Sequence, residues 1–474
     1  MTTLVPFDNS YAKLPDRMHS ASLPETPKSP ELLAYNEALG AELGISSATP
    51  DADLMAVFSG KIVPKGSEPI SQAYAGHQFG NFVPSLGDGR AVLLGEVIDQ
   101  AGHRRDIQLK GSGRTAFSRG GDGKAWLGPV LREYVVSEAM HHMGIPTTRA
   151  LGAALTGTTI VRAEGGVPGA VLTRVASSHI RVGTFQYFAT RRDTEALRAL
   201  LDYSVARHYP SSSTPLEFLK SVIERQAKLV AKWLGVGFIH GVMNTDNTSI
   251  SGETIDYGPC AFMDTYHPAT VYSSIDRRGR YAYMSQPDII VWNIAQLASS
   301  LLLLESDQET AIEVYTNAVN KMPDLIARER TAVFAAKLGI VDPDDEDTAL
   351  VEQLLQFMMN AQADFTNTFN GLSTGTPPIF LDDFEDGHAW NSNWQTRLET
   401  QSDPIALMQA SNPQYIPRNH KIEEMIQRAL VGDLDMFSKM GKVLETPFTV
   451  QNGAEEFALQ PKPEEEIEAT FCGT

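Results

Sequence analysis

The sequence predicts an α+β protein in which a β-rich half precedes a helical half. Two β-like runs, residues 89–99 and 104–113, are separated by a short glycine-containing connection that is typical of a hairpin turn. Beyond about residue 190 the pattern becomes helical, and apolar residues repeat at helical spacing most clearly in residues 218–235. The change in pattern along the chain therefore predicts two structurally different halves.

Local signals place further elements in both halves. A helix is predicted over residues 29–44, with Ser29 as its cap and a proline in its first turn. A second helix is predicted over residues 128–144 because Gly128-Pro129 opens it and Gly144 ends it. Asp288 is predicted to cap an apolar helix in the second half. Strand-like runs are predicted at residues 154–164 and 169–176.

Composition limits the classes of function. The 474 residues are 42% apolar and 20% charged, as in ordinary soluble globular proteins. The net charge of −19 argues against a nucleic-acid partner, because binding to a phosphate backbone requires clustered Lys and Arg. No apolar run approaches the ~20 residues of a membrane span, and the first residues lack the features of a signal sequence. We therefore expect a cytoplasmic protein that does not bind membranes. Nothing in the sequence fixes the oligomeric state, and a monomer is the default expectation.

The most specific motif is HGVMNTDNTSISGETIDYG, residues 240–258. Protein kinases carry H-R-D-x-x-x-x-N, in which Asp is the catalytic base and Asn binds metal, followed by a metal-binding D-F-G. Aligning His240 with the kinase His places Asn247 on the metal-binding Asn and Asp256 on the D-F-G Asp. The position of the catalytic base is occupied by Val242, which cannot accept a proton. Asn247 and Asp256 supply the oxygen ligands that Mg²⁺ prefers, although Asn and Asp also occur in turns for backbone reasons.

A lysine at the end of a predicted strand extends the comparison with kinases. Lys110 ends the run DIQLK, as the kinase strand lysine ends V-A-I-K and pairs with a Glu on the next helix. Glu133 on the following predicted helix is the expected partner, with Glu138 as an alternative. A β-rich half carrying this lysine, followed by a helical half with acidic loops, predicts a two-lobed protein-kinase-like fold.

Glycines and basic residues form a set of candidate phosphate ligands. Glycines before a strand let backbone N–H groups approach a phosphate closely, and arginines can bind it with two hydrogen bonds. Each motif taken alone also fits an ordinary turn or a surface ion pair. The candidates are Gly87, Gly89, Arg90, Lys110, Asp122, Gly123, Arg174 and Arg181, and the last two are expected to face one anionic group.

The predicted lobes divide the chain into four parts. We expect an N-terminal extension at residues 1–60, a β-rich lobe at 61–175, a helical lobe with the catalytic and metal loops at 176–340, and a mainly helical C-terminal region with a tail at 341–474.

Three long segments resemble one protein family. LKGSGRTAFSRGGDGKAWL, LREYVVSEAMHHMGIPTTRAL and GFIHGVMNTDNTSISGETIDYGP are similar to the selenoprotein O (YdiU) family of pseudokinase-fold proteins. The resemblance implies a protein adenylyltransferase that binds Mg²⁺ and ATP, flipped relative to kinases. It would transfer AMP to Ser, Thr or Tyr hydroxyls of proteins and release pyrophosphate.

The resemblance also assigns roles to the candidate residues. Asp246 matches the proton acceptor of the family, Asn247 and Asp256 match its Mg²⁺ ligands, and Glu133 matches the partner of the lysine. The nucleotide-contacting positions are matched by the phosphate candidates named above, together with Asp256. Mn²⁺ accepts similar oxygen ligands and is an alternative metal.

Two other functions stay open from the residues. The first is an orthodox kinase whose base is displaced to Asp246. The second is a non-catalytic ATP-binding scaffold, which the valine at position 242 would favour outside this family.

The two cysteines, Cys260 and Cys472, are too few for a disulfide framework. Cys472 is third from the end, where some members of the resembling family carry selenocysteine. Cys260 lies two residues beyond Gly258, so a redox-sensitive pair would tie the tail across the mouth of the active site. The alternative is two unconnected thiols.

Overall fold

The computed structural model describes residues 4–162 and 165–471 and combines an antiparallel sheet with many helices. The mixed α/β composition predicted from the sequence is confirmed. The strands are β1 His19–Ala21, β2 Glu31–Tyr35, β3 Ile70–Gln72, β4 Gly76–Gln78, β5 Asn81–Val83, β6 Ala91–Ile98, β7 Arg104–Lys110, β8 Ala125–Trp126, β9 Arg149–Arg162, β10 Gly165–Ala176, β11 Phe238–Ile239 and β12 Ala261–Phe262.

The main sheet has the strand order β1-β3-β6-β7-β10-β9-β2, with β8 added on β10. The predicted hairpin between β6 and β7 is confirmed, and its turn is held by the Asp99 carboxylate, which accepts from the N–H groups of Ala101 and His103. Lys110 ends β7 between Ala91 of β6 and Leu172 of β10. The lysine therefore lies where β7 ends and β6 begins, beside the middle of β10.

Alternation along β7 separates a core face from a polar face. Ile107 and Leu109 are fully buried in an apolar cluster with Phe58 of the second helix, described below. Because successive strand residues point to opposite faces, Gln108 and Lys110 lie on the other side of the sheet. Arg174 on β10 is paired directly with Gln108 and shares that face, where its Nη2 donates to Gln108 Oε1 at 2.7 Å.

One predicted helix is partly wrong. Residues 31–35 of the predicted helix at 29–44 form the strand β2, which pairs with β9, and only Glu37–Glu42 is helical. The cap is Asn36, whose side chain accepts from the N–H of Leu39, instead of Ser29. Pairing with the long neighbouring strand β9 outweighs the local helical pattern of these residues.

Helices cover the polar face of the sheet and make up most of the chain beyond it. The predicted helix at residues 128–144 is observed as α3, and the apolar face predicted for residues 218–235 is buried in α6. The helices are α1 Glu37–Glu42, α2 Asp51–Phe58, α3 Leu127–His142, α4 Val182–Thr190, α5 Thr194–His208, α6 Pro215–Gly235, α7 Gln286–Leu301, α8 Gln308–Asn320, α9 Met322–Lys337, α10 Asp345–Ala361, α11 Phe365–Leu372, α12 Gly387–Glu399, α13 Pro404–Ser411, α14 Asn419–Leu430, α15 Asp435–Leu444 and α16 Glu455–Ala458.

The helix α7 begins earlier than predicted. It starts at Gln286, so Asp288 lies within its first turn and does not cap it. With the 3₁₀ turns at its two ends it forms Tyr283–Leu304, which is long and apolar enough to span a membrane, with a mean hydropathy of 1.4. A core helix passes the same test, and α7 packs against α4, α6 and α9. In this structure it is an internal helix of the helical half.

Candidate active site

A cavity of about 750 Å³ lies between the polar face of the sheet and the first loops of the helical half. It is bordered by the turn before β6, the end of β7, the loop between β7 and β8, and the two loops of the motif at residues 240–258. All the predicted catalytic, metal and nucleotide residues line it: Gly87, Gly89, Arg90, Lys110, Asp122, Gly123, Arg174, Arg181, Asp246, Asn247 and Asp256.

A buried ion pair joins β7 to α3 behind the cavity. Lys110 Nζ lies 2.6 Å from Glu133 Oε2, and Arg174 Nη1 lies 3.2 Å from Glu133 Oε1. Glu138, the alternative partner, instead binds Arg149 at 2.8 Å and accepts from the N–H of Ala150. Five residues separate the two glutamates, so they face different sides of α3, and Glu133 is the one on the cavity side.

Asp256 is the anionic centre of the site. Its backbone has φ = 63°, in the left-handed region that Asp tolerates better than most residues. One carboxylate oxygen lies 2.5 Å from Lys110 Nζ and 2.7 Å from Arg174 Nη1, and the other lies 3.6 Å from Arg181 Nη2. Burial opposes the charged form, but these three cations hold the pKa of Asp256 well below its usual range. The carboxylate is therefore ionised throughout the physiological range.

Arg181 spans the site from one carboxylate to another. It is 1% exposed, and its guanidinium lies 3.6 Å from Asp88 Oδ1 as well as from Asp256. The ring of Tyr74 covers it at 4.3 Å, and Arg181 Nη1 donates to the carbonyl oxygen of His179 at 3.0 Å. Arg174 and Arg181 thus both face the side chain of Asp256, whereas the anionic group expected from the sequence was a bound phosphate.

Asp246 occupies a different environment from Asp256. It lies in the 3₁₀ turn Thr245–Asn247, and its Oδ2 accepts from Gln78 Nε2 at 3.3 Å. Its Oδ1 is buried without a hydrogen-bond partner among the described residues. Burial raises the pKa of Asp246 to about 6, and the hydrogen bond from Gln78 only partly offsets this effect. A carboxylate with such a pKa is charged at neutral pH and can still accept a proton.

The hairpin of β4 and β5 holds the turn that carries Asp246. The N–H of His77 donates to Thr245 Oγ1 at 2.7 Å, and the N–H of Phe79 donates to Asn244 Oδ1 at 3.0 Å. Gly76 lies so close that a Cβ there would stand 2.3 Å from Asp246 Oδ1. The position of the carboxylate therefore depends on a glycine at position 76.

The remaining motif residues order the loop around position 242. His240 is buried, and its Nε2 lies 2.9 Å from the carbonyl oxygen of Ile255, which joins the two loops of the motif. Asn247 Nδ2 donates to the carbonyl oxygen of Val242 at 3.0 Å. The amide oxygen of Asn247 takes no part in this hydrogen bond. Val242 itself lines the cavity and offers no proton acceptor in its side chain.

The glycines of the cavity wall permit close packing of loops. Gly87 has φ = 66°, and a Cβ there would stand 2.2 Å from the ring of Phe117. Gly123 has φ = 68° and lies against the carbonyl of Gly113. Asp122, beside it, binds Arg162 at 2.8 Å, which lowers the pKa of the Asp122 carboxyl. The loop at residues 114–124 is thus fixed along one side of the cavity.

The glycine-rich end of the cavity carries arginines without acidic partners. Arg90, Arg114 and Arg119 line the cavity, and none of the three forms an ion pair with another described residue. Lys110, Arg174 and Arg181 are by contrast all engaged with carboxylates. The positive charge available to an anionic ligand is therefore concentrated near the glycine-rich loops.

Comparison with known proteins assigns the chain to a family. A family model described as protein adenylyltransferase SelO matches residues 3–445. The chain belongs to the SelO family. Relatives named protein nucleotidyltransferase YdiU include those of Ruegeria pomeroyi, 55% identical over 477 residues, and of Ruegeria sp., 56% identical over 474, each aligned over 100% of both chains. The Rhizobium meliloti protein of that name is 50% identical over 486 residues and 99% of each chain.

The donors in this SelO-family cavity fit a magnesium ion. Asn247 and Asp256 present one amide oxygen and one ionised carboxylate to the same cavity. Mg²⁺ is usually bound by one or two carboxylates together with substrate phosphates and water, so a small protein donor set is sufficient. No cluster of three or more His, Cys, Asp or Glu suited to a metal occurs among the residues that the structure describes.

Sequence reasoning missed several residues of the site. Asp88 and Gln108 hold Arg181 and Arg174, and Gln78 and Asn244 hold the turn of Asp246. Asp88 lies between Gly87 and Gly89 in a motif that was already a candidate, so its position was a usable signal. No signal in the sequence pointed to Gln78, because its role depends on the contact between the β4–β5 hairpin and a loop more than 160 residues away.

The described part of the tail approaches Cys260. Thr470 is buried, its Oγ1 donates to the carbonyl oxygen of Pro259 at 2.6 Å, and its N–H donates to the carbonyl oxygen of Tyr272. Cys260 is also buried and follows Pro259 directly. Cys472, the other member of the predicted pair, lies outside the described residues.

Proposed function

We propose that this protein transfers AMP from ATP to Ser, Thr or Tyr hydroxyls of protein substrates and releases pyrophosphate. The observation that carries the proposal is the cavity of this SelO-family chain, which holds a buried carboxylate, Asp246, while the position of a kinase base is Val242. An orthodox kinase with Asp246 as its base is the first alternative. A non-catalytic ATP-binding scaffold is the second.

The distribution of charge supports a flipped nucleotide. Arg90, Arg114 and Arg119 at the glycine-rich end can neutralise the β- and γ-phosphates, which leave together as pyrophosphate. With the β- and γ-phosphates at the glycine-rich end, the α-phosphate lies toward the loop that carries Asp246. The reacting phosphorus is then the α-phosphorus, and a base at position 242 is not required.

Asp246 is proposed as the general base. Its raised pKa of about 6 leaves it mostly ionised at neutral pH, and its burial keeps it basic enough to take the proton of an acceptor hydroxyl. The hydroxyl oxygen bonds to the α-phosphorus as the bond to the pyrophosphate oxygen breaks. Removing such a base typically lowers the rate by about 10²–10⁴.

Asn247 and Asp256 are the proposed metal ligands. Mg²⁺ bound there, or Mn²⁺ in its place, would supply positive charge to the phosphate oxygens. Lys110, Arg174 and Arg181 keep Asp256 ionised, and Glu133 orients the first two.

The kinase-like two-lobed fold is part of the same proposal. It is supported by the pairing of a strand-end lysine with a glutamate on the next helix, and by a cavity between an antiparallel sheet and a helical half.

Labelled ATP tests the function directly. Wild-type protein is incubated with a candidate protein substrate, Mg²⁺ and ATP labelled at either the α- or the γ-phosphate. We expect only the α-label on protein, and Asp246→Asn should reduce it by about 10²–10⁴ while ATP still raises the melting temperature. Label from the γ-position alone would establish the kinase. Stabilisation by ATP without any labelling would establish the scaffold.

We also propose that Cys260 and Cys472 form a redox-sensitive pair. The contact of Thr470 with Pro259 supports this, because Cys472 follows two residues after Thr470. Pairing removes two electrons and two protons from the thiols and requires an oxidant such as a peroxide. Mass spectrometry of unreduced peptides would detect the linked pair, and equal activity of verified oxidised and reduced protein would exclude a switch.

A further inference from the structure

A loop rich in arginine borders the cavity opening near Asp246. We name residues 275–281 the arginine loop. Ile275 lines the cavity and is 52% exposed, and Arg277 and Arg278 follow it and are exposed. Neither arginine lines the cavity, and neither forms an ion pair with any residue described in the structure. Their charges are therefore accessible to a ligand that extends beyond the cavity.

Internal hydrogen bonds hold the arginine loop in one shape. Asp276 is 5% exposed, and its carboxylate accepts from the N–H groups of Arg280 at 3.0 Å and Tyr281 at 2.7 Å. Just before the loop, Ser273 bridges to Thr470 and accepts from the N–H of Asp276. The single acidic side chain of the loop is thus used internally, and it faces away from the solvent that surrounds Arg277.

Arg280 connects the arginine loop to the hairpin that holds Asp246. Its guanidinium carbon lies 5.0 Å from the ring centre of Trp292, and the group lies against Gly80 in the β4–β5 turn. Its Nε is buried and has no hydrogen-bond acceptor among the described residues. A guanidinium stacked on an aromatic ring retains donors that suit a carboxylate. Phe82, on the same hairpin, is 36% exposed.

The charge of the arginine loop is opposite to that of the whole chain. The chain carries a net charge of −19, whereas the loop carries three arginines and one aspartate. Screening limits charge interactions between exposed groups to roughly 8 Å at physiological salt. An acidic segment that meets this loop therefore encounters local positive charge, although the chain as a whole is acidic. The nucleotide phosphates have their own arginines inside the cavity, so they do not account for Arg277 and Arg278.

We propose that the arginine loop selects protein substrates that carry Asp or Glu close to the acceptor hydroxyl. This inference rests on the proposed AMP transfer. The acceptor hydroxyl enters the cavity at Asp246, and the acidic flank binds Arg277, Arg278 and Arg280 at its rim.

A peptide assay tests the selection. Peptides with one Ser, Thr or Tyr and flanks of Glu, Gln or Lys are incubated with wild-type protein, Mg²⁺ and α-labelled ATP, and kcat/KM is measured for each. We expect the Glu peptide to be preferred. R277Q/R278Q should lower kcat/KM for it by about 2- to 30-fold, the range for two exposed ion pairs, mainly through KM. R277E/R278E should reverse the preference toward the Lys peptide.

Two controls separate charge recognition from other effects. K321Q/R328Q removes two exposed charges of the same sign around α9, away from the cavity lining, and should leave all peptide preferences unchanged. ATP-dependent stabilisation should be unchanged in every variant, because none of the altered residues lines the cavity.

Failure of this inference and failure of the proposed function give different results in the peptide assay. Equal labelling of the Glu, Gln and Lys peptides by wild type would overturn the inference and leave AMP transfer intact. Arginine-dependent binding of an RNA oligonucleotide without a peptide preference would contradict it as well. Absence of α-label on the peptides and on the protein itself would overturn the proposed function, and the inference with it.

Discussion

At the scale of single residues, the two carboxylates of the motif differ because their neighbours differ. Asp256 touches three cations, which lower its pKa, whereas Asp246 is buried beside one glutamine amide, which leaves its pKa raised. The first carboxylate is suited to hold positive charge, and the second is suited to accept a proton. The same residue type thus supports two roles within ten positions of the chain.

Gly76→Ala should impair the reaction without changing any chemical group. The added Cβ would stand 2.3 Å from Asp246 Oδ1, so the carboxylate must move. A displacement of about 1 Å at a reacting group can cost roughly 100-fold in rate, and we expect a loss of 10- to 100-fold in kcat, estimated on that basis. Stabilisation by Mg²⁺ and ATP should remain. Unchanged kcat would show that the position of Asp246 is not critical. Gly441→Ala, in α15 with no atom within 4 Å of the added Cβ and no positive φ, controls for glycine replacement.

His179 should make the fold sensitive to acid. It is fully buried against Asp106, and burial lowers its pKa to about 4. An unfolded histidine has a pKa of about 6.5, so below this pH the unfolded chain takes up a proton that the folded chain does not. Stability should therefore fall as the pH drops from 6.5 toward 4. Urea midpoints at pH 7 and pH 5 should differ less for His179→Asn than for wild type, and an equal difference would exclude this role.

The residues that sequence could identify are those with a motif around them. Lys110, Asn247 and Asp256 were found because their order along the chain matches a known constellation, and the glycines because they cluster before strands. Asp88 and Gln78 act through residues that are distant in sequence, so only the fold shows what they contact. The sequence did not decide whether Glu133 or Glu138 pairs with Lys110. The choice depends on which side of α3 faces the sheet, and in the structure that side carries Glu133.

At the scale of elements, the ion pair between β7 and α3 fixes the helix to the sheet. Glu133→Gln should lower stability by about 1–3 kcal/mol, because Lys110 and Arg174 exchange a buried carboxylate for a neutral amide, although they keep Asp256. It should also reduce AMP transfer, because Lys110 is no longer oriented. Thermal unfolding and kcat/KM measure the two effects.

Glu138→Gln is the matched control for that variant. It removes the ion pair between Glu138, on the same helix α3, and Arg149 at the start of β9, outside the cavity lining. Stability should fall to a similar extent while kcat/KM stays within about twofold, because Glu138 is hydrogen-bonded as extensively as Glu133 but lies outside the cavity lining. Equal losses of activity in both variants would show that Glu133 acts only through stability.

Elements were predictable where local pattern and tertiary packing agree. The hairpin of β6 and β7 and the helix α6 carry strong local signals, and both are observed. The strand β2 carries a helical pattern, but its backbone groups pair with β9, and this pairing has no trace in the local sequence. The start of α7 was displaced by three residues, from Ile289 to Gln286, because a proline and an acid both suit a first turn.

At the scale of the whole molecule, Arg418 joins the C-terminal helices to the segment that follows the motif at residues 240–258. It is 1% exposed and binds Asp264 at 2.5 Å and Asp364 at 2.7 Å, and its Nη2 donates to the carbonyl oxygen of Ala458. Three distant segments therefore meet at one guanidinium, close to the motif that carries Asp256.

Arg418→Met should destabilise the protein by about 3–5 kcal/mol, because two mostly buried carboxylates lose their cation. Lys462→Met removes an exposed ion pair with Glu465 and should change stability by less than about 1 kcal/mol. Denaturant unfolding of the two variants measures the difference. A loss below 1 kcal/mol for Arg418→Met would show that the C-terminal region does not depend on this contact.

The central claim is that the reaction occurs at the α-phosphorus in the cavity that contains Asp246. The intact mass of a peptide with one acceptor hydroxyl, measured after incubation with the protein, Mg²⁺ and ATP, tests it most directly. We expect a gain of one AMP group per modified peptide, with one pyrophosphate released for each. A gain of one phosphate, accompanied by ADP, would contradict it.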